Sequence, residues 1–178
     1  MKELVAATAA FAMFLFSGGL WIGIARLVPE GTPRSVLLVG VGALFAGVFM
    51  WLLISRVRLI LAGEGNMLRH GAVAVLELAL MLGAFAAVYQ ILGIQDNTRP
   101  GRPLSHAYFD SLYYSVVTFT TLGYGDFYPR GVGRVLAGME ALTGYVILGM
   151  IASTAASVIS PYSRAGKGEP PEEGEVVE

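Results

Sequence analysis

Thr120-Thr121-Leu122-Gly123-Tyr124-Gly125-Asp126 is the segment of this chain whose residue types and order could do chemistry. Gly123 and Gly125 can adopt positive φ, which residues carrying a β-carbon resist. A backbone of alternating hand turns successive carbonyls to one side. A column of such oxygens can replace the water around a dehydrated monovalent cation. Thr121 could add a hydroxyl at the inner end, and Asp126 could draw cations to the outer end. Gly-Tyr-Gly-Asp on its own also reads as an ordinary loop turn, so its setting decides.

That setting is hydrophobic. The chain has 178 residues, 55% of them apolar and 14% charged. Soluble domains carry about 25% charged residues, so a bilayer rather than a large globular core is expected to take up the apolar surface. Four apolar runs, about Leu4–Val28, Ser35–Ile54, Gly71–Ile94 and Arg134–Ser160, each reach the ~20 residues of a membrane-spanning helix. The first is too long for a signal peptide and lacks a convincing cleavage site. Between the third and fourth runs, Gln95 to Pro103 is polar. Ser105 then offers a cap for a short helix, about Ala107–Phe119, which leads straight into the glycine motif. Irregular backbone at membrane depth is tolerated only where protein buries it or a wet path runs beside it.

The fold expected is therefore an all-α membrane protein with four transmembrane helices and one re-entrant pore helix. Residues 1–61 would hold two peripheral helices, 62–70 a linker on the same side as the termini, 71–160 the pore domain, and 161–178 a disordered acidic tail with five glutamates. Pro29 to Pro33 reads as a tight turn, and the second helix could continue inward to Leu61. Lys and Arg divide six against six between the two sides, so charge alone does not orient the chain. Neither early helix repeats arginine at every third position, which excludes a voltage sensor. Gly19 and Gly23 form a small-residue face suited to close helix contact. There is no cysteine, and the net charge of −1 gives no basis for a nucleic-acid partner. His70 and His106 stand apart from paired acids, so no enzyme or metal centre is expected.

The Thr120–Asp126 segment, with its short preceding helix and following span, resembles the selectivity filter of potassium channels. The resemblance covers about Ala72 to Ser160, with Leu122 where the family usually has valine. It implies carbonyl ligands for K⁺ from Thr121, Leu122, Gly123 and Tyr124. Tyr124 would point backward and brace the filter on the pore helix, with Thr120 and Gly125 supporting it. One filter per chain cannot enclose an axis, and the family uses four, so a homotetramer is implied. The family also places the filter mouth outside and both termini in the cytoplasm, with the protein in the cell membrane.

Departures and additions qualify this expectation. Tyr113 and Tyr114 stand where many relatives have tryptophans, and a Tyr114 hydroxyl could donate to Asp126. Val117 stands where some bacterial relatives have a glutamate, so filter inactivation through a carboxyl–carboxylate pair is expected to be absent. Gly144 aligns with a glycine where inner helices can bend; a hinge there and close helix packing are equal alternatives. Leu148, Ala152 and Ala156 share a stripe that could line the cavity, with Gly149 nearby. Glu77 and Glu140 are acids deep within apolar runs, which makes them functional candidates. Glu140 could reach the filter or the pore helix, and Glu77 could pair with Arg56 or Arg58. Structural hydrogen bonding is the plainer reading of both. Arg56, Arg58 and Arg69 could contact anionic lipid headgroups. The expected function is passive, K⁺-selective conduction. A less selective cation channel and a non-conducting membrane subunit are the competing readings.

Overall fold

In the computed structural model, residues 2–61, 67–99 and 101–165 are described. The chain is mostly helical, with α1 (Lys2–Leu27), α2 (Thr32–Leu61), α3 (Met67–Leu92), α4 (Tyr108–Phe119) and α5 (Val132–Ala165). Two short strands, β1 (Ile94–Asp96) and β2 (Phe127–Pro129), pair antiparallel. Residues up to Tyr145 form one compact unit, and α5 from Val146 onward belongs to a second.

Stretches of α2, α3 and α5, namely Thr32–Leu59, Leu68–Leu92 and Val132–Ser153, are long and apolar enough to cross a bilayer. In α1 the corresponding apolar stretch is Phe11–Leu27. Phe16, Leu44, Trp51, Leu76 and Leu142 lie on the outside of the chain. Outward apolar side chains of this number are expected where lipid is the solvent.

The helices α1 and α2 pack through one large residue. Trp21 is fully buried, and its indole N–H donates to the Leu38 carbonyl oxygen across the interface at 2.8 Å. Gly42 lets α2 lie on that ring, since a β-carbon there would sit 3.0 Å from it. Gly18 does the same against Phe45. The glycines in close contact between α1 and α2 are thus Gly18 and Gly42, whereas a β-carbon at Gly19 or Gly23 would meet no atom within 4 Å among the described residues. Successive residues on a helix point about 100° apart, so one step in phase moves the contact from Gly19 to Gly18. The helices α2 and α3 are joined by an ion pair. Arg56 donates to both carboxylate oxygens of Glu77 at 2.6 and 2.9 Å, and Glu77 is fully buried.

Helix α3 ends on Gly93, whose φ of +79° lets its N–H return to the Tyr89 carbonyl oxygen at 2.7 Å. The chain then enters β1, within what the sequence presents as a featureless polar linker. The ribbon pairs Ile94 with Pro129, Gln95 with Tyr128 and Asp96 with Phe127. It ties the end of α3 to the segment just past the glycine motif.

Two expected boundaries move. Helix α3 begins at Met67, inside the linker expected at 62–70; residues 62–66 lie outside the described residues. Helix α5 runs past Pro161 to Ala165, so the tail expected from 161 begins as helix; residues 166–178 lie outside the described residues.

Candidate ion-conduction site

The short helix α4 delivers the glycine motif. Its start differs from expectation in one detail. The N-cap position is Ala107, with no side-chain cap. Ser105 instead accepts from the Ala107 N–H at 3.3 Å and donates to Asp110 at 2.6 Å, holding the first turn from two residues further out. The end of α4 is tight. Thr120 caps it, donating through its hydroxyl to the Val116 carbonyl oxygen at 2.7 Å, and the Leu122 N–H returns to Val117 at 3.0 Å. The C-terminal end of α4, with its partial negative charge, therefore meets the motif directly.

Beyond this cap the backbone alternates in hand. Thr121, Gly123 and Gly125 have φ of +59°, +55° and +75°, and Leu122 and Tyr124 between them do not share that sign. Among the described residues Thr121 is the one non-glycine with positive φ. A β-branched residue held there is an outlier of the kind that collects at functional sites. Residues Thr121 to Gly125 are all exposed in the single chain. Tyr124 is 68% exposed, so the α4 of its own chain does not bury it.

The outer end of the motif is fixed from two sides. Tyr113, not Tyr114, donates to the Asp126 carboxylate at 2.7 Å. Tyr114 packs edge-on against Tyr89 instead, with ring centres 5.0 Å apart. From the ribbon, the Asn97 backbone N–H donates to the Asp126 carbonyl oxygen at 2.7 Å, and its side-chain amide donates to that of Gly125 at 3.1 Å. The role of Asn97 had no signal in the sequence, because it depends on the register of β1. Gln95 is held in the same ribbon by Arg130, whose guanidinium donates to it at 3.0 Å.

Behind the motif lies an open cleft of about 370 Å³, lined by Tyr114, Val117, Thr118, Thr121 and Ala141. Val117 is buried, and the second Asp126 oxygen accepts from the Phe127 N–H at 3.0 Å. Asp126 is thus held by a phenol and an amide, with no carboxyl facing it among these contacts.

Glu140 is fully buried on α5. It accepts from the Ser115 hydroxyl of α4 at 2.5 Å and from the Tyr89 hydroxyl of α3 at 2.8 Å. It therefore reaches α4 rather than the motif itself. One turn further along α5, Gly144 lies against the end of α4. A β-carbon at Gly144 would overlap the Phe119 carbonyl oxygen and sit 2.8 Å from its carbon. Of the two readings of Gly144, this contact supports close packing. Leu148, Gly149, Ala152 and Ala156 lie on α5 in the second unit. Of the three arginines considered for lipid contact, Arg56 is taken up by Glu77, while Arg58 is exposed. No cluster of His, Cys, Asp and Glu able to hold a metal ion occurs among the described residues.

Residues 76–160, which contain α4, the glycine motif and most of α5, match the sequence model of a family described as ion channel. Over these residues the chain is similar to that family. This similarity and the long apolar stretches of α2, α3 and α5 support a multi-pass membrane protein. The protein LctB of Bacillus caldotenax is 37% identical over 81 residues, covering 42% of this chain and 60% of the relative. LctB of Geobacillus stearothermophilus is 39% identical over 79 residues, covering 40% of this chain and 58% of that protein. Two pore potassium channel b of Oryza sativa subsp. japonica is 34% identical over 88 residues, covering 49% of this chain and 24% of the relative. The chain thus spans about three fifths of the bacterial relatives' length and about a quarter of the rice protein's. No solved structure matches the chain significantly.

Proposed function

We propose that this chain is one of four identical subunits of a passive, potassium-selective channel. Backbone carbonyls of Thr121, Leu122, Gly123 and Tyr124, with the Thr121 hydroxyl, form the ligands for K⁺. The observation that carries the reading is the run of positive φ at Thr121, Gly123 and Gly125, set directly on the C-terminal end of a short helix. Such alternation turns successive carbonyls to one side, and the helix end favours a cation. Exposure of Thr121 to Gly125 in one chain is what a segment completed by symmetry copies would show. The likeness to a rice protein named a potassium channel supports the choice of ion.

In this reading α1 is a fourth span, residues 71–160 are the pore domain, and α1 and α2 form a layer around it. The filter mouth and the β1–β2 ribbon face outward, and both termini lie in the cytoplasm of a cell-membrane protein. Gly149, Leu148, Ala152 and Ala156 are placed in the cavity segment, and Arg58 and Arg69 at the level of anionic headgroups.

The test is K⁺ flux into vesicles that contain the purified protein, comparing wild type with Gly123→Ala. A β-carbon at a φ of +55° costs about 1–2 kcal/mol in each subunit. Flux should be present in wild type and lost in the variant. Reversal potentials in mixed Na⁺ and K⁺ measure the selectivity, and cross-linking should show a ladder of four bands. A wild type that passes no K⁺ would overturn the proposal.

A further inference from the structure

Helix α5 meets the pore helix at two points with matching spacing. Glu140 contacts Ser115, and Gly144 contacts Phe119. Each pair is four residues, about one turn, beyond the other on its own helix. The two helices therefore run side by side in the same direction over this turn. At the first point the contact is a buried carboxylate, which is costly in an apolar setting, where an apolar residue would pack as well. Its second oxygen is taken by Tyr89 of the outer helix. One side chain thus joins α3, α4 and α5.

Tyr89 is itself held in place. It is fully buried, with the Tyr114 ring edge-on at 5.0 Å and the Phe85 ring at 6.1 Å. The Leu82 carbonyl oxygen of α3 lies 3.2 Å from the same Ser115 hydroxyl, as a longer alternative acceptor for its one hydrogen. Helix α4 passes directly into the motif through the Thr121 and Leu122 N–H groups, which return to Thr118 and Val117. A rotation or slide of α4 is therefore carried to Thr121.

We infer that Tyr89 is a positioning residue for the filter. Through the Glu140 carboxylate and Ser115 it sets the depth and rotation of the pore helix, and so the geometry of the inner carbonyls. The inference rests on the pore reading above and adds to it a role for the outer helix.

Single-channel recording tests it, because only assembled pores are read. Tyr89→Phe keeps the ring and removes the donor; Ser115→Ala removes the other. Each is expected to lower open probability at least fivefold, with tetramer yield unchanged. Ser115→Thr restores the hydroxyl and should return to within twofold of wild type. Tyr89→Phe added to Glu140→Gln should cost nothing beyond Glu140→Gln alone, because both act through one carboxyl group. A wild-type open probability in Tyr89→Phe and Ser115→Ala overturns the inference while leaving the pore reading intact. So do independent, multiplying effects of Tyr89→Phe and Glu140→Gln. Loss of assembly in Tyr89→Phe also overturns it, since the contact would then serve folding. A silent wild type removes the pore reading, and the brace falls with it.

Discussion

Gly144 of α5 lies so close to the Phe119 carbonyl of α4 that no side chain fits between them. The contact assigns the glycine a packing duty that hinge flexibility does not require. Overfilling a packed contact costs about 1–3 kcal/mol, and here the neighbour is backbone, which cannot turn aside. Gly144→Ala should therefore push the end of α4 and cut K⁺ flux at least tenfold. The added β-carbon of Gly149→Ala meets no atom within 4 Å among the described residues, and this variant should conduct normally. Flux from both variants, compared with tetramer yield, checks this. A hinge would instead show in Gly144→Ala as altered opening with a filter of unchanged selectivity.

The outer end of the motif depends on Tyr113, and its neighbour makes a suitable control. Tyr113→Phe removes the donor to Asp126, a bond worth about 1 kcal/mol net, or roughly a fivefold change in an equilibrium between conducting and collapsed filters. Tyr114→Phe should leave Asp126 untouched. Asn97→Ala should act in the same direction as Tyr113→Phe, because it frees the Gly125 carbonyl oxygen. The measurement is open probability at low external K⁺, where an unbraced filter is least supported by its ions.

Much of this arrangement was legible in the residues, and the losses have physical causes. Long apolar runs announce α2, α3 and α5, because a bilayer demands length and hydrophobicity and little else. Gly123 and Gly125 announce positive φ, because glycine is the residue that adopts it freely. The positive φ of Thr121 was not legible, since it is imposed by the α4 cap against the residue's own preference. Choosing Tyr113 over Tyr114 needs the phase of α4 to within one residue, about 100° of rotation, and a 12-residue helix with polar groups on several sides does not fix it. The β1–β2 ribbon escaped because three-residue strands carry no period. Glu140 and Glu77 stood out as acids in apolar runs, yet only packing names Tyr89, Ser115 and Arg56 as their partners.

The Asp96 carboxyl, at the ribbon outside the spans, is held below its usual range, first by the Thr98 hydroxyl, then by the Thr98 N–H and the Arg99 charge. A group whose folded pKa is depressed contributes stability above its unfolded pKa and loses it as pH falls through the folded value. The ribbon should hence be insensitive to pH near neutrality and loosen only in acid, below the ordinary carboxylate range. Thr98→Ala should move the Asp96 titration upward and bring that loosening to higher pH. A carboxyl-carbon NMR titration reads both, and an unmoved Asp96 in Thr98→Ala would contradict the assignment.

Arg56 and Glu77 form an ion pair between α2 and α3, with Glu77 fully buried and Arg56 largely so. Removing one partner of such a pair leaves an uncompensated charge and costs about 3–5 kcal/mol, whereas replacing both by apolar groups is often neutral. Arg56→Met alone and Glu77→Leu alone should each lower the thermal midpoint of the purified protein and its tetramer yield. The double variant Arg56→Met with Glu77→Leu should recover most of both. If the pair serves only to join α2 to α3, the recovered double variant conducts like wild type. A double variant that is as stable as wild type yet altered in opening would assign the pair to gating, because stability and packing would have been restored while the charge was not.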